Sequence, residues 1–407
     1  MNPTTTLTAE TASNTSAAIT FGAQTNGNAG LSNVSKVDTR TLLYPGATTK
    51  IYAHFMAWFG QSNHMDVGYT SSDPAQVSRQ VSDALSRGIS GFIEDWYGQN
   101  KAMPNATAFA LKAEAESRNG DFVFAIMEDG GALNNCNATA GCDLSGQMIT
   151  DLTYAYNNFE TSPAYMKIDG RPAVFFFDPD RFGTLDWQGI AANVPGNPLF
   201  IFQNSGGFTH AQSGGSISWV IIDGNTNDWS QSYLDNFYAT GVAHLPSHAF
   251  GATYKGFNDT QAGWSSNRII NQNCGQTWLS TFSEIGKYHS AANQLESLQL
   301  VTWNDYEEAT EIESGIDNCV AVSASISGNQ LTWAVAGDEN TIDHYAPFIS
   351  IDGEQLMPLS EMQAGTYTLD LSSYHFAAGS YSVYVKAVGK AGLRNQMSNR
   401  VAYAAGS

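Results

Sequence analysis

Apolar residues in this chain fall into short runs that alternate with longer stretches of helical period. Eight of these runs have the length and composition of buried strands. They cover residues 51–58, 89–94, 122–127, 173–177, 199–203, 219–222, 242–247 and 298–303. After each of the first seven runs the chain has room for a helix before the next one begins. This rhythm indicates strands alternating with helices.

The stretch after the first run shows helix signals most clearly. Asp73 is a capping acceptor, and Pro74 suits the first helical position. Apolar residues from Val77 onward share one face, and Gly88 ends the helix. Strand–helix alternation over about 270 residues predicts a (β/α)8 barrel, which we place at residues 48–318. A doubly wound open sheet is the alternative, although no Gly-x-Gly-x-x-Gly follows the first strand.

The two ends of the chain differ from this central part. After Cys319, short alternating runs are separated by turn residues, which is typical of an antiparallel β-sandwich of the immunoglobulin or fibronectin type III kind. We place it at residues 320–405 and expect a role in stability or sugar attachment. Residues 1–47 are rich in Thr, Ser, Asn, Ala and Gly without a sustained apolar period. They predict a spacer, or a strap lying on the domain.

Charge and composition exclude several functions. The chain has 38 Asp and Glu against 18 Lys and Arg, a formal charge of -20, so we expect no nucleic-acid or membrane partner. No run of about 18 apolar residues occurs, and the first residues lack the basic-then-apolar pattern of an uncleaved signal peptide. Only 14% of residues are charged, whereas Asn, Ser, Thr, Gly and aromatic residues are plentiful. We expect a monomer that is exported, to the periplasm or the extracellular space.

The four cysteines are an even number. Cys136 and Cys142 bracket a short loop, while Cys274 and Cys319 lie far apart in sequence. Two disulfides can form if the compartment is oxidising, and free buried thiols are the alternative. Neither pair has the spacing of a zinc site, so we assign the cysteines no chemistry.

Polar and aromatic residues concentrate where the predicted strands end. In a (β/α)8 barrel the carboxyl ends of the strands converge on one pocket. The predicted substrate contacts there are His54, Trp58, Glu94, Trp96, Tyr97, Glu128, Asp223, His248, Trp303 and Asn304. Carboxyl groups interleaved with Trp and Tyr suit sugar chemistry, because acids move protons and flat rings stack on pyranoses. A metal site is the competing use, but no His-Glu-x-x-His spacing occurs, and we expect neither metal nor cofactor.

The densest cluster of acids follows the last predicted strand. Asp305 and Glu308 are three residues apart, so a helical turn would place both carboxyl groups on one side of the chain. Burial and like charge would raise the pKa of one, which could then act as acid while its neighbour stays an ionised base. We predict that these two residues are the catalytic pair. Acids at this spacing also occur on solvated helix faces, which is the non-catalytic alternative.

The same cluster carries a family resemblance. Residues 302–308, Thr-Trp-Asn-Asp-Tyr-Glu-Glu, resemble the Trp-Asn-Asp-Tyr-Gly-Glu-Ser signature of glycoside hydrolase family 71, the α-1,3-glucanases. Continued to residue 313, the run is similar to the Asn-Glu-Trp-His-Glu-Gly-Thr-Gln-Ile-Glu signature of family 99, the endo-α-mannosidases and endo-α-mannanases. Residues 51–60, 88–92 and 246–254 resemble other barrel strands of these families more weakly. Both families are (β/α)8 barrels that act on α-glycans.

The resemblance implies that Glu308 donates a proton to the leaving oxygen and that Asp305 is the base. In family 71 the base activates water, with inversion; in family 99 it takes the proton of the sugar 2-hydroxyl, with retention. The chain departs from both patterns, since Glu307 stands where family 71 has Gly and Asp305 where family 99 has Glu. We expect Glu307 to point outward as a surface acid; the alternative places it in the site, where it changes specificity.

Taken together, the sequence predicts a hydrolase of an α-linked polysaccharide. The first candidate substrate is α-1,3-glucan, and an endo-α-mannanase of the family 99 kind is the alternative. A carbohydrate-binding protein on a barrel scaffold that has lost catalysis is a rival from another functional class. A hydrolase of β-linked glycans is a further rival, because barrels of this shape host many specificities.

Overall fold

The structure is a computed structural model that describes residues 33–224 and 226–406. Within these residues the chain divides into two compact units. One comprises residues 39–313, and the other comprises residues 33–38 together with 314–406. Most of the predicted N-terminal spacer therefore lies outside the described residues.

Eight parallel strands form a closed barrel in the first unit. They are Lys50–Met56, Gly91–Trp96, Val123–Asp129, Arg171–Phe177, Leu199–Gln203, Ser213–Ile217, His248–Thr253 and Ser297–Leu300, here called the first to eighth strands. Each strand pairs in parallel with the next, and the eighth pairs with the first. The predicted (β/α)8 barrel is confirmed, and the open-sheet alternative is wrong.

Helices surround this barrel, and four of the described ones begin at an aspartate or serine cap. In the described part of the chain they are α1 Pro74–Ser86, α2 Ala102–Ser117, α3 Asn134–Asn137, α4 Leu144–Ala155, α5 Trp187–Asn193, α6 Gln231–Ala243 and α7 Gln276–Ile285. Helix α1 begins as predicted, because the Asp73 carboxylate accepts the N–H of Ala75 at 3.0 Å and Pro74 follows it. Within residues 33–224 and 226–406, no helix has both the length and the apolar character needed to cross a membrane.

The sixth and seventh strands lie at other positions than the sequence predicts. The sixth strand, Ser213–Ile217, contains two glycines and precedes the predicted run 219–222. The seventh strand begins at His248, after the predicted run 242–247. Both predictions are wrong. The predicted runs are short, and a short apolar run has no periodicity that distinguishes a strand from other structure. The actual sixth strand is rich in Ser and Gly, so it has no apolar run that would mark it. As a result, residues 219–222 follow a strand, whereas His248 begins one.

Alternation along each strand decides which side chains enter the barrel. Asp95 lies beside Met56 of the first strand and Met127 of the third. The intervening residue Glu94 lies beside Phe55 and therefore faces the surrounding helices. Both faces of these strands are buried, so hydrophobicity does not distinguish the inner face from the outer one.

The second unit is an antiparallel β-sandwich, as predicted. One sheet contains Ala321–Ser327, Gln330–Ala336 and Thr368–Asp370, and the other is built on Ile342–Ser350, Gly379–Gly389 and Val401–Ala405. Their inner faces share a core that includes Leu331, Trp333, Tyr345 and Val383. The assignment to the immunoglobulin or fibronectin type III kind stays a prediction.

The four cysteines are all oxidised. Cys136 and Cys142 form a disulfide with a Cα–Cα distance of 5.4 Å. Cys274 and Cys319 are also disulfide-bonded, so the alternative of free thiols is wrong.

Three glutamates of the barrel unit are buried without hydrogen-bond partners. Glu94, Glu128 and Glu160 are 0, 0 and 2% exposed. Neither carboxyl oxygen of any of them has a partner among the described residues. Burial raises the pKa of all three, and that of Glu160 reaches about 8. Burial therefore favours the neutral, protonated form of these side chains.

We expect the barrel to be more stable near pH 5 than near pH 8. A carboxyl group whose pKa is raised by folding favours the folded state at low pH, and this contribution is lost as the pH rises through the folded pKa. By calorimetry, the melting temperature at pH 5 should exceed that at pH 8 by several degrees. Glu160→Gln should shrink this difference, because glutamine does not ionise.

The matched control is Glu354→Gln, which replaces an exposed glutamate. It should leave the difference between the two melting temperatures unchanged. A melting temperature that rises from pH 5 to pH 8, or equal effects of the two substitutions, would contradict the role assigned to the buried acids.

Candidate active site

A cavity of about 800 Å³ lies at the carboxyl ends of the barrel strands. Its lining combines acids, cations and aromatic rings. The ionisable lining residues are His54, His64, Asp95, Tyr97, Lys101, Asp129, Asp178, Arg181, Arg268, Asp305 and Glu308. The remaining aromatic residues of the lining are Trp58, Phe177, Trp219, Phe257 and Trp264. Groups that carry protons and flat apolar surfaces both suit a carbohydrate ligand.

Asp305 is fully buried and is fixed by the turn that follows it. Its Oδ1 accepts hydrogen bonds from the backbone N–H groups of Glu307 at 3.0 Å and Glu308 at 2.8 Å. Its own N–H donates to Thr302 Oγ1 at 2.8 Å. The other carboxyl oxygen, Oδ2, has no partner in the described part of the chain. Asp305 thus has one oxygen that holds the turn and one that is left for a ligand in the cavity.

Glu308 lies beside Asp305 in the same cavity. The indole N–H of Trp264 donates to its Oε1 at 3.3 Å. Burial raises the pKa of Glu308, while this hydrogen bond and the charge of Arg268 oppose the rise. Burial, followed by the charge of Glu308, raises the pKa of Asp305 well above its usual range. Since neighbouring carboxylates repel each other, their proximity favours a state in which the pair shares a proton.

A second acidic pair comes from the second and third strands. Burial raises the pKa of Asp129 to about 6, with the charge of Arg181 acting in the opposite direction. Burial and the charge of Asp129 raise the pKa of Asp95. The neighbouring hydroxyl of Tyr97 opposes the effect of burial and lowers the pKa of both carboxyl groups. This pair gives the cavity additional hydrogen-bonding groups that carry little negative charge at acidic pH.

His54 is a neutral group in this site. It is 1% exposed, and its ring meets Trp219 edge-on at 4.8 Å between centroids. Burial lowers the pKa of His54 to about 3. Its Nε2 lies 4.0 Å from Asp95 Oδ1, but an uncharged ring forms no ion pair there. We therefore expect His54 to offer hydrogen bonds rather than charge to a ligand.

Five of the predicted site residues line the cavity, namely His54, Trp58, Tyr97, Asp305 and Glu308. A sixth, Asn304, supports it from below. The Asn304 side chain accepts the N–H of Met56 at 2.8 Å and donates to the Met56 carbonyl at 3.0 Å. This amide therefore joins the eighth-strand turn to the end of the first strand, and it is not among the residues that line the cavity.

Four other predicted contacts point away from the cavity, namely Glu94, Trp96, Glu128 and Trp303. The first three alternate with inward-facing neighbours on their strands. Trp96 stacks with Tyr154 of α4 at 6.2 Å. Trp303 packs against Phe92 at 5.3 Å, with Arg87 over its ring. The first three predictions are wrong by one strand position, because alternation turns adjacent residues to opposite faces.

Asp223 and His248 are also outside the cavity. His248 begins the seventh strand and contacts Asp169 at 3.2 Å and Glu296 at 2.8 Å. Both partners precede strands, so His248 lies at the amino end of the barrel. Asp223 is exposed in the loop after the sixth strand. Both errors follow from the misplaced strand boundaries described above.

Several lining residues are absent from the predicted contacts, chiefly Asp95, Asp129, Trp219 and Trp264. The strand register identifies Asp95, since His54 lies beside Ile93 and Asp95 follows two positions later on the same face. It identifies Asp129 in the same way, since Met127 lies beside Asp95 and Asp129 follows two positions later. The correct end of the sixth strand, Ile217, would have placed Trp219 just after the strand and therefore at the cavity. Trp264 lies in a loop, and no periodicity in the sequence places it in the cavity.

Glu307 is buried, so the prediction of an outward-pointing surface acid is wrong. It is 4% exposed. Its Oε1 accepts the backbone N–H of Met65 at 2.9 Å, and its Oε2 lies 3.0 Å from His64 Nδ1. Glu307 thus anchors the loop that follows the first strand, and that loop contributes His64 to the cavity.

Metal binding was the competing use of these acids. In the part of the chain that the structure describes, no group of three or more His, Cys, Asp or Glu side chains is placed to hold a metal ion.

Comparison with known proteins gives distant similarities. No family model and no curated protein sequence matches the chain. A family 99 endo-α-mannosidase from Bacteroides thetaiotaomicron has 15% identity and a TM-score of 0.49, covering 66% of this chain and 88% of that one. An engineered protein has 10% identity and a TM-score of 0.39, covering 91% and 95%. The spore cortex lytic enzyme SleM from Clostridium perfringens has 12% identity and a TM-score of 0.18, covering 71% and 81%.

We expect Asn304→Ala to destabilise the barrel unit markedly. It removes two buried hydrogen bonds and leaves the N–H and carbonyl of Met56 without these partners, which costs about 2–3 kcal/mol in the free energy of unfolding. Urea denaturation measures this loss. Asn236→Ala is the control, because its amide contacts Ser205 Oγ at an exposed site. Equal losses for the two variants would refute the anchoring role of Asn304.

Proposed function

We propose that this protein hydrolyses glycosidic bonds of an α-linked polysaccharide, with Glu308 as the proton donor and Asp305 as the base. One observation carries the proposal: two carboxyl groups of a single turn line the same cavity together with tryptophan rings. Two carboxyl groups flanking the scissile bond are the usual machinery of glycoside hydrolysis. The rings offer the flat surfaces on which pyranoses stack.

Glu308 suits the role of acid. Burial raises its pKa, so it holds a proton at a pH where an exposed glutamate is ionised. The Trp264 indole fixes Oε1, and the other oxygen remains to deliver the proton to the leaving oxygen. As the glycosidic C–O bond breaks, the leaving sugar takes this proton and Glu308 becomes the carboxylate.

Asp305 suits the role of base once Glu308 carries the shared proton. The charge of Glu308 is then absent, and with it one cause of the raised pKa of Asp305. The two backbone N–H groups at Oδ1 favour the ionised carboxylate. Its free Oδ2 accepts the proton of the nucleophile. That nucleophile is water in an inverting reaction and the sugar 2-hydroxyl in a retaining one.

The substrate assignment rests on the resemblance of residues 302–308 to the family signatures. We propose α-1,3-glucan as the first candidate and α-mannan as the second. Neutral His54, Trp58 and Tyr97 are proposed sugar contacts, to which the structure adds Asp95 and Asp129 as candidates. We also propose that the protein is exported, which the disulfides and the charged fraction of 14% support.

The test is sugar release from α-1,3-glucan, α-mannan, mixed α-glucans and β-glucans by the wild type beside Asp305→Asn and Glu308→Gln. We expect the wild type to release sugar from one α-glycan. Each substitution should lower kcat/KM by a factor of about 100 or more, because each removes a proton-transfer group from the transition state. NMR of the first-formed anomer distinguishes inversion from retention.

Glu128→Gln is the matched control, since it replaces a buried carboxyl group outside the cavity by an amide of the same size. It should leave kcat/KM within about threefold of the wild type. Activity that survives in both active-site variants would move the chemistry to Asp95 and Asp129. Glycan binding without turnover would replace the proposal by a binding protein, and activity on a β-glucan alone would refute the α-linkage.

A further inference from the structure

We propose that Trp58, His64 and Trp264 form a sugar-binding subsite, here called the aromatic subsite, and that Glu307 is the residue that positions it. The ligand is a neutral pyranose on the leaving-group side of the scissile bond. The assignment of this pyranose to the leaving-group side rests on the proposed function, because Glu308 is the proposed proton donor to the leaving oxygen. The binding of a sugar ring there does not depend on turnover.

The first wall of the aromatic subsite is the loop after the first strand. Its neck is closed by two hydrogen bonds between Phe59 and Ser71, at 2.9 and 3.1 Å. Glu307 holds the middle of the loop through Met65 and His64. The imidazole of His64 therefore stacks on the Trp58 indole, with centroids 5.0 Å apart and an interplanar angle of 14°.

The second wall is the loop after the seventh strand, which is fixed by a buried acid. Asp259 is 0% exposed, and it accepts the N–H of Arg268 at 2.7 Å, the Arg268 Nε–H at 2.8 Å and the N–H of Ser266 at 3.2 Å. The Arg268 guanidinium lies over the Phe257 ring at 5.0 Å. A loop closed in this way presents Trp264 in one orientation, so a ligand does not have to order it.

Trp264 has an indole surface that the fold leaves uncovered. It is 45% exposed and is the only exposed tryptophan among the described residues. Its ring meets Trp58 edge-on at 6.1 Å and His64 edge-on at 6.2 Å. Because these contacts are edge-on, they do not cover the ring as face-to-face stacking would. An apolar ring held beside a polar cavity, with its N–H already bonded, offers a platform for the C–H face of a sugar.

Two consecutive glutamates hold the two walls together. The Glu307 side chain binds the first loop, as described above. The Glu308 side chain binds Trp264, and the Glu308 carbonyl accepts the N–H of Asn258 from the second loop at 2.8 Å. The proton donor of the proposed reaction therefore lies against the aromatic subsite. A sugar on this platform would have its glycosidic oxygen near Glu308, which is the position of the leaving group.

Polar groups at the same wall fit hydroxyl recognition. Gln61 and Asn63 line the cavity from the first loop. Trp58 is 6% exposed, and its indole N–H has no partner within the described residues. A buried donor without a partner gains a full hydrogen bond when a ligand oxygen reaches it. Amides, an indole N–H and open ring surface together suit an uncharged sugar.

The first test measures binding without turnover. In the Asp305→Asn protein, isothermal titration calorimetry follows the binding of nigerotetraose and of α-mannotetraose. Trp264→Ala should weaken binding of the tetrasaccharide that binds by at least about tenfold, because the stacking surface is lost. Phe109→Ala, which removes an exposed aromatic ring of α2, should leave the affinity unchanged. Unchanged affinity in Trp264→Ala, or no binding of either sugar to Asp305→Asn, overturns the aromatic subsite.

The second test separates positioning from catalysis in the active protein. Glu307→Ala should raise KM by at least about tenfold and leave kcat within about threefold, because it releases His64 without touching the reacting bond. Glu307→Gln keeps an oxygen for the Met65 N–H and should restore most of the affinity. A fall in kcat equal to the rise in KM, or no rescue by Gln, overturns the positioning role.

The third test uses the indole N–H. Trp264→Phe keeps a stacking ring and loses the donor to Glu308. Sugar binding should stay within about threefold of the parent value. The alkaline limb of kcat/KM should move to higher pH, because the lost hydrogen bond had lowered the pKa of Glu308. An alkaline limb that does not move refutes the contact between Trp264 and the acid.

These results distinguish failure of the subsite from failure of the proposed function. If the wild type releases no sugar while Trp264→Ala abolishes oligosaccharide binding, the hydrolase proposal fails and the aromatic subsite stands as a binding site. If the wild type hydrolyses a glycan while Trp264→Ala binds it normally, the aromatic subsite fails and the hydrolase proposal stands.

Discussion

The turn after the eighth strand rests on the Asp305 carboxylate, which accepts two backbone N–H groups through one oxygen. The Asp305 carbonyl accepts two more, from Thr310 at 3.0 Å and Glu311 at 3.2 Å. The side chains of this closed turn point in different directions. Asn304 reaches the first strand, Glu307 the loop that follows it, and Glu308 the loop after the seventh strand. This one segment therefore connects the first strand and two of the loops that bound the cavity.

Burial gives the cavity its chemical character. The chain has a formal charge of -20, yet burial raises the pKa of four acids that line this site, namely Asp95, Asp129, Asp305 and Glu308. Burial also keeps His54 neutral. A site that holds protons on its carboxyl groups is suited to protonating a leaving group, whereas a metal-binding site needs its carboxylates ionised.

The same burial has a different consequence on the outer face of the barrel. Glu94 and Glu128 lie one position away from Asp95 and Asp129, but they face the helices and do not line this cavity. Their carboxyl groups influence stability through pH and have no part in the proposed chemistry. In a parallel barrel, a single step along a strand thus separates a group that meets substrate from a group that affects only folding.

The sequence by itself determined the elements whose signals are local. The alternation of strands and helices, the Asp73 cap of α1, the antiparallel C-terminal unit and the position of the Asp305–Glu308 pair were all readable from pattern and spacing. Only the tertiary structure decided which of two adjacent buried positions faces the cavity, because both faces of a parallel barrel strand are apolar. It also decided the places of Glu307 and Trp264, since loops distant in sequence meet only when the strands close into a barrel.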